Sequence, residues 1–143
     1  MAIKQIDHGT KEYKQMLALR MEILRKPLGL IFTEEQLAAE KDDILLGVFD
    51  EDEMLACCIL SPVGDHSLRL RQMAVQKKLQ GKGIGESLIN FAENLARDKG
   101  YKLMMMHARD TAIGFYEKFG YKVKGEQFIE VKTPHHIMEK ILL

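Results

Sequence analysis

Two periodicities of apolar residues alternate along the chain and divide it into helices and strands. Apolar spacings of three and four residues predict helices at 10–24 and 83–98, with shorter helices at 33–41 and 111–119. Short apolar runs predict strands at 2–7, 44–49, 54–60, 67–75, 102–107, 121–131 and 136–142. The predicted order of elements is therefore β-α-α-β-β-β-α-β-α-β-β.

This order predicts one α+β domain that covers residues 1–143, because a chain of 143 residues has no room for a second independent core. The acidic segment 50–53 separates two apolar runs and indicates an antiparallel hairpin. The helix at 83–98 lies in a strand-helix-strand crossover. We therefore expect a mixed sheet with helices on both faces.

Charge and composition exclude several functional classes. Lys plus Arg and Asp plus Glu both number 21, so no bulk positive charge favours a nucleic acid or an anionic membrane as partner. Residues 1–9 lack the pattern of a signal peptide, and no apolar run approaches the roughly 20 residues of a membrane span. The two cysteines, Cys57 and Cys58, are adjacent and cannot build a disulfide framework, and the histidines lack metal-ligand spacing. We expect a cytoplasmic protein without a metal site.

A glycine-rich stretch, Gln80-Gly81-Lys82-Gly83-Ile84-Gly85, follows the strand that ends at Val75. Glycines allow backbone N–H groups to turn toward one point, and the helix that begins near Gly83 adds its N-terminal dipole. The stretch therefore predicts a phosphate-binding turn, with an ordinary turn before a helix as the alternative. A Walker loop needs Ser or Thr after Gly-Lys, and a dinucleotide fingerprint needs glycine where Glu86 stands, so neither ATP nor NAD fits.

A strand followed by Gln80-x-x-Gly83-x-Gly85 and a helix resembles the acyl-CoA pyrophosphate signature of the GNAT N-acetyltransferase superfamily. The segment 112–121 is similar to a second block of that superfamily, a short helix that carries a tyrosine and is closed by a glycine and an aromatic residue. The order of elements matches over essentially the whole chain. The resemblance implies a mixed, mostly antiparallel sheet of about seven strands in a single acyltransferase domain.

The resemblance also implies acetyl-CoA as cosubstrate, without a metal, and assigns the residues that would bind it. The strand that ends at Val75 and the strand that ends at His107 would splay apart, which would free the backbone of Met73, Ala74 and Val75 for the pantetheine arm. The N–H of Met73 would face the thioester carbonyl. The pyrophosphate would be held by Gln80, Gly81, Lys82, Gly83, Ile84, Gly85 and Glu86. Arg109 replaces an asparagine of many members, and its guanidinium would instead reach a phosphate or an acidic acceptor.

Tyr116 matches the superfamily tyrosine that protonates the departing thiolate, with a purely structural aromatic residue as the alternative.

No carboxylate is evident as general base, because Arg69 and Arg71 occupy the strand before the glycine-rich stretch. His107 and His136 are the two candidates for this role. Each could instead make only a structural hydrogen bond, and ordered water would then remove the proton.

We therefore expect an enzyme that transfers an acetyl group from acetyl-CoA to a primary amine of a small molecule or peptide by direct attack in a ternary complex. The alternative is a catalytically idle GNAT fold that binds CoA as a sensor or interaction module. Tyr116 beside an intact glycine-rich stretch favours the enzyme. Arg20, Arg25 and the turn at 27–30 lie where the variable acceptor region of the superfamily begins. The sequence does not identify the acceptor amine and does not exclude an acyl group other than acetyl. It also leaves the oligomeric state open, with a homodimer as one possibility.

Overall fold

Seven strands form one continuous sheet in the computed structural model, which describes every residue from Met1 to Leu143. The strands are β1 (Ala2–Ile6), β2 (Ile44–Asp50), β3 (Glu53–Val63), β4 (Ser67–Val75), β5 (Leu103–Arg109), β6 (Lys122–Glu130) and β7 (Thr133–Ile141). Their spatial order is β1-β2-β3-β4-β5-β7-β6, and only the β4–β5 pair is parallel. The predicted mostly antiparallel, seven-stranded sheet is confirmed.

Four α-helices complete the predicted order of elements: α1 (Lys11–Arg20), α2 (Glu34–Ala38), α3 (Ile84–Asp98) and α4 (Ile113–Glu117). Helix α1 is shorter than predicted, because the chain widens into a π-helical turn at Met21–Arg25 and then ends at Gly29, whose φ is 68°. Strand β7 begins three residues earlier than predicted. No helix of the structure is long and apolar enough to cross a membrane.

Both faces of the sheet are buried, and each has its own core. The first core lies under α3 and α4 and includes Leu88 and Met106, whereas the second lies under α1 and includes Met16. The adjacent cysteines of β3 alternate between the two, since Cys58 packs in the first core and Cys57 in the second. Burial raises the pKa of the Cys57 thiol to about 12, so it stays protonated.

The apolar spacing along α3 predicts a buried stripe formed by Ile84, Leu88, Phe91, Ala92 and Leu95, and the observed buried face differs from it in one respect. Phe91 was expected to be buried and is instead 36% exposed, while Ile89 is 1% exposed. The stripe is centred about a quarter turn further round the helix, so that it includes Ile89 and the small residue Ala96. The prediction was therefore right for Ile84 and Leu88 but wrong for Phe91.

Strands β4 and β5 pair over only half of their length. Their parallel register runs from Ser67 opposite Leu103 to Leu70 opposite Met106 and stops there, although both strands continue. A β-bulge in β4 puts Gln72 at a φ of 53°, and bulges bend a strand and increase its twist. The predicted splay of the two strands is confirmed, and a cleft opens between their final residues.

A buried ion pair fixes α1 to the segment that follows α2. The guanidinium of Arg20 donates to both carboxylate oxygens of Glu40, at 2.8 and 2.7 Å. The hydroxyl of Tyr13 donates to the same carboxylate at 2.9 Å, and burial together with this hydrogen bond raises the pKa of Tyr13 to about 12. Both charged side chains are shielded from solvent, so water could not replace the partner if either one were removed.

Removing one partner of this pair should therefore be costly. We expect Glu40→Gln to lower the free energy of unfolding by about 3–5 kcal/mol, because it leaves the Arg20 guanidinium buried without a counter-charge. The double variant Arg20→Met with Glu40→Leu should recover most of the loss. Urea unfolding followed by circular dichroism measures both, with the exposed Glu22→Gln as control. A loss below about 1 kcal/mol for Glu40→Gln would contradict the role given to the pair.

Candidate active site

A cleft of about 650 Å³ lies where β4 and β5 diverge. Its walls come from the ends of these strands, from α4 and from the π-helical turn after α1. Of the residues that the sequence assigned to a site, five line it: Met73, Gln80, His107, Arg109 and Tyr116. The divergence of the two strands therefore brings these five together, whereas most of the glycine-rich loop and His136 do not line the cleft.

The backbone of β4 presents free groups to this cleft. The N–H of Gln76 donates to Leu55 of β3 at 3.0 Å, and N–H groups alternate in direction along an extended strand. Those of Met73 and Val75 therefore point away from β3, toward the gap left by β5. The Val75 carbonyl on that side accepts a hydrogen bond from the Gln80 side chain at 3.1 Å.

The glycine-rich loop between β4 and α3 combines two left-handed glycines with the exposed N-terminal end of a helix. Gly81 and Gly83 have φ values of 82° and 84°, which L residues adopt only with strain. Gly83 is the N-cap of α3 and supplies no side-chain cap, so the first N–H groups of α3 have no acceptor within the helix. A Cβ placed on either glycine would meet no protein atom within 4 Å, so the space beside the loop is open to a ligand.

The other predicted loop residues play different parts. Lys82 and Glu86 have exposed side chains, whereas the Ile84 side chain is buried in the core, so Ile84 has only its backbone N–H to offer a ligand. Gly85 lies close against α4, because a Cβ there would be 3.0 Å from the ring of Phe115, which would have to shift to make room. Ala74 is buried on the α1 face of the sheet and pairs with β3.

Tyr116 belongs both to the core and to the cleft. It is 7% exposed, its ring meets Phe115 edge-to-face at 5.1 Å, and it lines the cleft. Burial, to which Cys58 adds, raises the pKa of Tyr116 well above the ordinary value of a phenol. The hydroxyl therefore remains a neutral donor at every working pH.

His107 lies in a charged cluster on the cleft side of β5. Its Nδ1 is 2.9 Å from Glu130 Oε2 and 3.0 Å from Arg69 Nη2. The two contacts require different protonation states of Nδ1. Glu130 accepts a hydrogen bond from a protonated Nδ1, whereas Arg69 donates one to the lone pair of an unprotonated Nδ1. Burial alone would raise the pKa of Glu130, but its hydrogen bond with His107 and the charges of His107 and Arg69 lower it on balance. Glu130 is thus an anion at neutral pH.

His136 lies outside the cleft, on the other face of the sheet. It pairs with the buried Ala108 of β5, and its Nδ1 is 2.7 Å from Asp110 Oδ1. This hydrogen bond, with a second one from Gln127, lowers the pKa of Asp110. The preceding residue, His135, faces the cleft instead, with its Nδ1 2.8 Å from the Thr133 carbonyl oxygen. Only one of the two predicted histidines is therefore near the other site residues.

Arg109 connects β5 to the π-helical turn. Its Nη2 donates to the Leu24 carbonyl at 3.0 Å, and burial lowers the pKa of its guanidinium. Arg25, the next residue of that turn, also lines the cleft. Sequence reasoning did not assign His135 or Glu130 to a site, because only the register of β5, β7 and β6 shows which side chains face the cleft. No three His, Cys, Asp or Glu side chains are placed to hold a metal ion.

Comparison with known proteins gives consistent matches along the chain. Residues 39–123 match the family model described as acetyltransferase (GNAT) domain. The uncharacterized protein YyaT of Bacillus subtilis (strain 168) is 30% identical over 125 residues, which cover 77% of this chain and 81% of YyaT. The crystal structure of a Lactobacillus plantarum protein assigned as an N-acetyltransferase matches all of both chains, with a TM-score of 0.86 and 26% identity.

A second solved structure adds a likeness of fold. It is a GNAT family acetyltransferase from Elizabethkingia anophelis with acetyl-CoA bound. The match covers 99% of this chain and 97% of that one, with a TM-score of 0.75 and 20% identity.

The open glycine loop makes a testable prediction. Gly83→Ala should cost about 1 kcal/mol of stability through its positive φ and should also place a methyl group where a bound pyrophosphate would lie. We expect the affinity for coenzyme A, measured by titration calorimetry, to fall at least 10-fold. The matched control is Gly64→Ala at the opposite end of β4, where φ is 72° and the space is equally open. Equal affinities of the two variants would contradict the role given to the loop.

Proposed function

The chain belongs to the GNAT acetyltransferase family, and we propose that it transfers the acetyl group of acetyl-CoA to a primary amine by direct attack in a ternary complex. The observation that carries the proposal is the interrupted β4–β5 pairing. That interruption opens one cleft to the Met73 backbone, to the loop residue Gln80 and to the Tyr116 ring. Backbone donors, an anion cradle and a neutral acid are what acyl transfer from a phosphate-bearing thioester needs.

The residues present suit this cosubstrate, which supplies the thioester that is attacked. The free N–H groups at the start of α3 and in the glycine loop would hold the pyrophosphate, without a side chain in the way. The unpaired backbone N–H groups of Met73 and Val75 would bond the pantetheine arm. A Met73 N–H that points at the thioester oxygen would stabilise the negative charge that develops there during attack.

Tyr116 is the proposed acid. A thiolate leaves when the acetyl group is transferred, and a hydrogen bond from a neutral phenol stabilises it. The raised pKa keeps the Tyr116 hydroxyl protonated, so the donor is available throughout the working range. Its burial in the core fixes the ring against Phe115 and Tyr121, which removes the cost of orienting it.

His107 is the proposed base. When its Nδ1–H donates to Glu130, the lone pair lies on Nε2, the ring nitrogen that has no partner in the protein. The opposite tautomer, in which Nδ1 accepts from Arg69, would leave Nε2 protonated and unable to take a proton. The anionic state of Glu130 favours the first arrangement. Glu130 therefore positions the imidazole so that it can deprotonate the amine before attack.

The acid role of Tyr116 is tested by removing one hydroxyl. Wild-type protein should release the CoA thiol only when an acceptor amine is present, and Tyr116→Phe should lower kcat by about 10- to 1000-fold with little change in acetyl-CoA affinity. Tyr121→Phe is the matched control, because it removes a buried hydroxyl that bonds Glu93 at 2.8 Å, outside the cleft. Equal turnover of wild type and Tyr116→Phe would indicate that Tyr116 has a purely structural role. Binding of acetyl-CoA without any amine-dependent thiol release would favour the idle CoA-binding module.

The base is tested by comparing two histidines. His107→Gln and His136→Gln each remove an imidazole that bonds a carboxylate, and the two side chains are 23% and 20% exposed. If His107 is the base, kcat/KM for the amine should rise with pH as the imidazole loses its proton, because only the neutral ring accepts a proton. We expect His107→Gln to abolish this rise and His136→Gln to keep it. A profile unchanged in both variants would assign deprotonation to water.

A further inference from the structure

The cleft carries an excess of positive charge that the proposed chemistry does not use. Four arginines line it, namely Arg25, Arg69, Arg71 and Arg109, whereas Glu130 is the only carboxylate among the lining residues. The whole chain has 21 basic and 21 acidic residues, so the excess is local to the cleft. Guanidinium groups that converge in a partly buried space favour an anionic ligand.

Two of the four arginines have carboxylate partners. Arg69 Nη2 lies 3.6 Å from Glu130 Oε1, and Arg71 Nη1 lies 3.6 Å from Asp43 Oδ2. Their charges are therefore partly balanced within the protein. They support a positive potential in the cleft, and the Nε of Arg69 is buried without a hydrogen-bond partner, but each of the two has a carboxylate as counter-charge.

The other two arginines have no carboxylate partner. Arg109 donates to the neutral Leu24 carbonyl, and the Arg25 guanidinium lies over the ring of Phe32 at 4.4 Å. These contacts hold both side chains in place without offsetting their charge. The hydrogen bond to Leu24 also keeps the π-helical turn, and with it Arg25, beside the end of β5.

The charges of Arg25 and Arg109, which have no carboxylate partner, repel each other. Burial lowers the pKa of Arg25, and the nearby charges of Arg20 and Arg109 lower it further. A guanidinium nevertheless stays protonated in proteins, so the repulsion persists as long as the cleft holds no anion. An oxyanion bound by Arg25 would relieve it and would accept bidentate hydrogen bonds.

This anion site is separate from the loop proposed for the pyrophosphate. Of the segment 80–85, only Gln80 lines the cleft. The basic residues next to the loop, Lys77, Lys78 and Lys82, are exposed and do not line it. The anion that Arg25 would bind therefore belongs to the second substrate.

We propose that the acceptor is a primary amine that also carries an oxyanion group, a carboxylate or a phosphate, and that Arg25 binds this group beside Arg109. The inference rests on the proposed acetyl transfer, because it names the acceptor class of the same site. Binding of the acidic group at the π-helical turn directs the amine toward His107 and Tyr116, which line the same cleft.

The test uses pairs of amines that differ only in the acidic group. L-Phenylalanine is compared with its amide, and 2-aminoethyl phosphate with ethanolamine, in an assay of CoA thiol release. We expect kcat/KM to be at least 10-fold higher for the acidic member of one pair. The pair that shows the preference identifies the oxyanion as carboxylate or phosphate.

Arg25→Met should remove this preference by raising KM for the acidic amine about 10- to 100-fold, while the affinity for coenzyme A stays unchanged. Arg25→Lys, which keeps the charge but loses the planar fork, should recover part of it. Lys26→Met is the matched control, because it removes the same charge from the next residue, which is exposed and outside the cleft. Circular dichroism and coenzyme A affinity confirm that each variant is folded.

The outcomes separate this inference from the proposed function. Equal or better transfer to the neutral amines would overturn the acceptor class and leave acetyl transfer standing. A preference that persists in Arg25→Met, or that disappears equally in Lys26→Met, would overturn the role of Arg25. Failure to release thiol with any of the four amines, despite acetyl-CoA binding, would contradict acetyl transfer to this class and the inference with it.

Discussion

The whole site depends on the point at which hydrogen bonding between β4 and β5 stops. The parallel ladder ends at Leu70 and Met106 although both strands continue. Backbone N–H groups at Met73 and Val75 are thereby left without sheet partners, and such groups are costly unless water or a ligand satisfies them. The fold thus contains an unpaired strand edge in the middle of its sheet, and an extended ligand that lies along β4 would complete it.

The β-bulge in β4 gives the two halves of this strand different tasks. Before the bulge, Leu70 packs under α3 while Arg71 faces the cleft; after it, the alternation is inverted, so that Ala74 packs on the α1 face. The first half therefore contributes charged side chains and the second half contributes backbone groups. The inversion requires Gln72 at a φ of 53°, a strain of about 1–2 kcal/mol for an L residue.

The sequence was sufficient for features that are local or periodic. The sequence patterns predicted all seven strands and all four α-helices but not the π-helical turn at Met21–Arg25. The turn at Gly81 and Gly83 was predicted because glycine's backbone freedom requires no partner elsewhere in the chain. The features that failed or were missed depend on register. Whether His135 or His136 faces the cleft is decided by which of them lies opposite Arg109 in β5, and a shift of one residue would exchange them. Glu130 could not be placed beside His107 for the same reason.

The two arginines that flank Phe32 show how pairing decides what a buried charge does. Their guanidinium carbons lie 4.5 Å (Arg20) and 4.4 Å (Arg25) from the centre of the same ring. Arg20 is fully buried and its charge is met by Glu40, so it holds α1 in place and attracts nothing further. Arg25 shares the ring but has no carboxylate, and it opens onto the cleft. The same stacking contact therefore serves the fold at one residue and leaves a charge available to a ligand at the other.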